Sequence, residues 1–65
     1  MPTKEEIRLA ARALALATFQ ERHPEASSDR AHAFAARSWP AFVPRALDFL
    51  AARAVLREQA AAPSN

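Results

Sequence analysis

The sequence predicts an all-α fold, a small three-helix bundle completed by oligomerisation. Three observations carry that prediction. Glycine is absent, and the strong helix formers alanine, leucine, arginine and glutamate dominate. Strand-favouring residues are scarce, with two valines, one isoleucine and no tyrosine, and no run alternates apolar with polar. Apolar side chains recur at helical spacing in blocks bounded by proline, which places helices over about 3–22, 28–39 and 44–61. The 65 residues form one domain, with 62–65 a frayed tail.

The first helix opens on Pro2-Thr3-Lys4-Glu5-Glu6. Thr3 can accept from the backbone of Glu6 while the Glu6 carboxylate reaches back to Thr3, a capping box. Two acids in the first turn also suit the positive end of the helix dipole. Pro24 ends the helix near Arg22, because the residue before a proline disfavours helical geometry. Ile7, Ala10, Leu14, Ala17 and Thr18 share one face, widened by Leu9, Ala13 and Leu16, with Lys4, Glu5, Arg8 and Arg12 opposite. An apolar arc this wide should touch two neighbours.

Ser27 or Ser28 is the natural cap of the second helix, which carries Ala31, Phe34, Ala35 and Ser38 on one face and stops near Trp39. Trp39-Pro40-Ala41-Phe42-Val43-Pro44 reads as a rigid aromatic corner, and Pro44 fits the first turn of the third helix. That helix has two apolar stripes. Val43, Leu47, Leu50, Ala51 and Ala54 suit the domain's own core, while Phe42, Phe49, Leu56 and Ala60 lie nearly opposite. Phe42, Phe49 and Leu56 recur every seven residues and so stay aligned. Either helices 1 and 2 wrap opposite sides of a central helix 3, or the second stripe is an interface; the second alternative is favoured.

Size argues for association. Fourteen large apolar residues are present. Burying each is worth about 1.5–3 kcal/mol, whereas ordering a chain costs roughly 1.5 kcal/mol per residue, so a lone monomer comes out near zero. Small proteins offset this with disulfides, metals or partners. Cysteine is absent, so partners remain. The expected interface is Trp39, Phe42, Phe49, Arg53, Leu56 and Ala60, since aromatic and arginine side chains are the usual energetic anchors.

Formal net charge is only +2, but its distribution is uneven. Between Arg30 and Arg57 there are five arginines (Arg30, Arg37, Arg45, Arg53 and Arg57) against one acid, Asp48. These are the candidate nucleic-acid contacts in the alternative reading, a basic nucleic-acid-associated accessory protein. A GC-rich genome, which inflates alanine and arginine codons alike, is the simpler source of the bias. A helix-turn-helix is disfavoured, because Pro40 and Pro44 occupy the connection where that motif uses a tight turn often containing glycine. The start of helix 3 also places Asp48 where phosphate would approach.

No catalytic, cofactor or metal site is expected. Ser28, Asp29 and His32 share residue types with hydrolases but crowd one helix start, where capping is the ordinary use of serine. His23 and His32, without cysteine, make a poor metal site. Phosphate-cradling loops need glycine, and a domain this small is expected to lack a cleft of several hundred cubic ångströms for a small-molecule substrate. The stretch Leu9–Ala17 resembles a signal-peptide core, but Arg12 interrupts it and Glu5 with Glu6 spoils a basic leader. With no apolar run near the roughly 20 residues that span a bilayer, the expectation is a soluble cytoplasmic protein, without a membrane partner and read as a complete short open reading frame. The function expected is that of a small helical interaction or accessory protein (adaptor, subunit or inhibitor) that self-associates through helix 3 or binds another protein.

Overall fold

A computed structural model describes residues 1–61, and all its regular structure is helical. Helix α1 spans Lys4–Arg22, α2 spans Ser28–Ser38, a 3₁₀ turn occupies Trp39–Phe42 and α3 spans Val43–Ala61. The tail at 62–65 lies outside the described residues.

Local chemistry sets the ends of α1. Thr3 is extended (φ −80°, ψ 164°); its Oγ1 accepts from the Glu6 N–H at 3.1 Å, and its own N–H donates to Glu6 Oε1 at 3.4 Å. The predicted capping box is formed, satisfying two of the orphan donors that every helix start leaves. At the other end the His23 N–H donates to the Phe19 carbonyl at 2.8 Å, and Pro24 stops propagation. The cap of α2 is Ser27 and not Ser28, its Oγ accepting from the Arg30 N–H at 3.2 Å.

The chain from Ser28 onward departs from three separate helices. Its backbone stays right-handed through Trp39 (φ −55°, ψ −34°) and Val43 (φ −58°, ψ −44°), with no break between α2 and α3. The molecule is therefore two helical bodies, α1 and a long bent second helix, and a three-helix count is not confirmed. The prolines explain the bend. Pro40 has no N–H for the carbonyl four residues back, and Pro44 has none for the carbonyl of Pro40. The Val43 N–H takes that carbonyl instead, three residues on, which tightens one turn to 3₁₀ geometry. Expecting a stop at Trp39 underestimated how easily one tight turn absorbs two prolines spaced by four.

Helix α1 is the strut, packing against α2, the turn and α3, as its wide apolar arc predicts; α2 and α3 do not touch each other among the described residues. Helices 1 and 2 thus do not wrap a central α3; the flanked helix is α1.

The buried residues are Ala11 and Ala15 of α1, Ala31 and Ala35 of α2, and Ala46 with Leu50 of α3. Each pair sits four apart, one turn on the same face. Alanines let helix axes approach closely, and no larger side chain is wholly buried; Leu50, at 9% exposure, comes nearest. The face of α2 is the predicted one, with Phe34 and Ser38 half-buried beside its alanines. Two faces differ from expectation. On α1 the packed line runs through Ala11 and Ala15, leaving Leu9, Ala13 and Ala17 outward and Arg8 and Arg12 half-buried. On α3 it runs through Val43, Ala46 and Leu50, and Leu47, Ala51 and Ala54 are exposed. A helix meeting only one neighbour buries only the narrow strip that faces it.

Beyond Leu50 every described residue of α3 is exposed. Those residues, 51–61, make about 16 Å of helix. The Cα radius of gyration is 14.5 Å, where a compact domain of this length gives about 11 Å. The envelope measures 48 × 24 × 15 Å.

Candidate interaction surface

The outward surface of α3 is apolar on two sides. Phe49 is 49% exposed and Leu56 64%, with Val55 at 53% on another side of the helix. Phe49 and Leu56 lie two turns apart on one line, with Arg53 between them and Ala60 one turn further, all exposed. Leu47 and Val55, eight residues apart, line the opposite side. Leu47, expected in the core, is thus exposed, and its eight-residue spacing from Val55 is the pattern that pairs them.

The other two expected interface residues sit elsewhere. Trp39 and Phe42 lie in the bend, half-buried. The Phe42 ring meets Phe34 edge-on at 6.4 Å, and the Arg45 guanidinium lies 5.6 Å from its centroid. The structure thus gathers Phe49, Arg53, Leu56 and Ala60 along one exposed line and sends Phe42 into an intramolecular cluster.

The five candidate nucleic-acid arginines are all exposed and do not share one face. Arg53 and Arg57 border a shallow groove of about 220 Å³ with Met1, Pro2, Glu6 and Leu50, beside the start of α1. Arg45 lies at the far end of α1, in a cleft with Arg22 and His23, and Arg30 borders the neighbouring one. Arg37 lies in the last turn of α2. Among the described residues the ion pair formed is Arg8–Glu5. Its hydrogen bonds hold the Glu5 carboxyl below its ordinary value and raise Arg8.

Ser28, Asp29 and His32 are exposed on the first turns of α2. His23 packs its ring on Phe19 at a centroid distance of 4.8 Å, closing α1. Among the described residues no three His, Cys, Asp or Glu side chains come together as metal ligands, and no helix is long and apolar enough to cross a membrane. The expectation that no cleft reaches several hundred cubic ångströms is corrected: two open clefts of about 290 and 530 Å³ flank the end of α1, the first between α1, Phe34 and the bend, the second along the turn that joins α1 to α2. Compared with protein-family models, curated proteins and solved structures, the chain matches none.

Proposed function

We propose that the chain is a small helical interaction protein, an adaptor, subunit or inhibitor and not an enzyme, that pairs with a second copy through the exposed apolar line of α3. The observation that supports this is surface. A compact monomer of 7.1 kDa exposes about 4,100 Å², whereas this chain exposes 5194 Å². The excess, roughly 1,100 Å², exceeds the ~800 Å² that each partner contributes to a standard interface. Phe49, Leu56 and Ala60 supply the apolar centre of that contact, and Arg53 is an anchor within it. Two copies side by side complete between them the bundle that one chain lacks.

Size-exclusion chromatography with light scattering, over a range of protein concentrations, tests the reading. The expected mass is a multiple of 7.1 kDa. Phe49→Asp and Leu56→Asp should each return the mass to that of one chain while keeping a helical circular-dichroism spectrum. A mass of one chain at every concentration, or loss of helix in both variants, overturns the proposal.

A further inference from the structure

The far end of α1 carries chemistry that self-association through α3 leaves unused. Four rings form a chain there: His23 on Phe19 at 4.8 Å, Phe19 on Phe34 at 5.1 Å and Phe34 on Phe42 at 6.4 Å. Arg45 covers the end of it. The three phenyl groups are only half-buried, because they wall the open cleft of about 290 Å³, with Arg22 and Arg45 at its rim. The second cleft, about 530 Å³, shares Arg22 and His23 with the first and adds Arg30 and Glu25. Three guanidinium groups therefore border two contiguous clefts against one carboxylate. None of the three is in an ion pair among the described residues.

The backbone does not decide the sign of this end. The C-terminus of α1 and the N-terminus of α2 meet here, and their opposite half-charges offset each other. Glu21 and Asp29 stand in adjacent turns outside the walls of both clefts. They weaken long-range attraction of anions and leave recognition to close contact with the arginines. We propose that the two clefts are one site for a nucleoside phosphate, the base among Phe19, Phe34 and Phe42 and the phosphate held by Arg22, Arg30 and Arg45. The phenyl rings, inclined to one another by 32° and 79°, give a base an aromatic surface to rest on, since every base has a π-face to stack. A carboxylate would be satisfied by one bidentate arginine, whereas several arginines match the three oxygens of a phosphate. The first cleft admits one base, at the lower edge of ligand-pocket sizes. With side chains alone and no backbone cradle, the dissociation constant should be on the order of 0.1–1 mM.

The test is an amide NMR titration of the full chain with adenosine 5′-monophosphate, adenosine and inorganic phosphate, each alone. The monophosphate should shift residues 18–23, 30, 34 and 41–45, and should bind about tenfold tighter than adenosine or phosphate. Arg22→Gln and Arg45→Gln, both exposed, should each weaken it about tenfold with an unchanged circular-dichroism spectrum. An eight-nucleotide oligoadenylate separates the sources. Binding well beyond its statistical factor, falling steeply with salt, identifies a strand as the ligand; equal affinity per nucleotide identifies the free nucleotide. No shifts at about 10 mM monophosphate, phosphate alone binding as well, or a short peptide ending in phenylalanine binding tighter would each overturn the proposal.

Discussion

Helices α1 and α3 are both 19 residues long, and both look amphipathic enough to be packed, yet they end in opposite circumstances. α1 has neighbours along its length and holds the closest-packed line of the molecule, Ala11 and Ala15. α3 packs through Val43, Ala46 and Leu50, and beyond Leu50 it only borders a shallow groove with the start of α1, every described residue exposed. The difference lies in what each helix has beside it. Small side chains on α1 let two limbs of the bent helix approach it closely, whereas most larger apolar side chains of α3 (Leu47, Phe49, Val55 and Leu56) lie outside the narrow strip it turns to α1. Alanines thus make up most of the buried seam, while the bulkier apolar residues of α3, Leu50 excepted, stay half-buried or exposed.

Substitutions sort along this contrast. The largest effect is expected from Ala15→Leu, which inserts three heavy atoms into a wholly buried position; overpacking costs about 1–3 kcal/mol. Ala52→Leu makes the same change on the outward surface of α3 and should stay within about ±0.5 kcal/mol. Thermal unfolding by circular dichroism compares them at low protein concentration, and equal losses would erase the contrast. Thr3→Ala comes next. Loss of the capping box should lower stability by about 1 kcal/mol, read as a lower melting midpoint and faster amide exchange confined to the first turn of α1.

The smallest effect concerns the Glu5–Arg8 pair on the surface of α1. The Glu5 carboxyl is held below its ordinary value of 4.5, so it titrates lower in the folded chain than in the unfolded one. Its contribution is present above that ordinary value and is lost as pH falls through the folded one. The melting midpoints of the native chain and Glu5→Gln should differ slightly at neutral pH and converge in acid. A gap that widens on acidification would show that the pair acts with the opposite sign.

Much of the fold was legible in the residues. Thr3 with Glu6, Ser27 and Pro24 locate helix ends because capping and proline geometry involve only near neighbours in the chain. The face of α2 was legible too, as Phe34 marks it among small residues. The packed line of α1 was not: Ala10, Ala11, Ala13, Ala15 and Ala17 are chemically identical, and nothing local tells which of them a second helix will approach. Leu47 is exposed for a related reason: it adjoins Ala46 on the helix, and its periodicity does not show that α3 meets only one neighbour and buries only a narrow strip. The clefts at the end of α1 bring Arg30 and Arg45 each beside Arg22 and His23, which they reach only through the turn at 24–27 and the bend at 39–42.

By itself the sequence determined that the chain is helical, where α1 and α2 begin, where α1 ends, and that α3 carries apolar residues on more than one side. These follow from backbone propensity, from capping within four residues and from periodicity, all local in range. The tertiary structure decided that Pro40 and Pro44 bend one helix instead of dividing two, that alanine lines the seam, and that α3 buries only a narrow strip. Each of these depends on how closely distant segments approach, a distance set by packing and absent from the order of the residues.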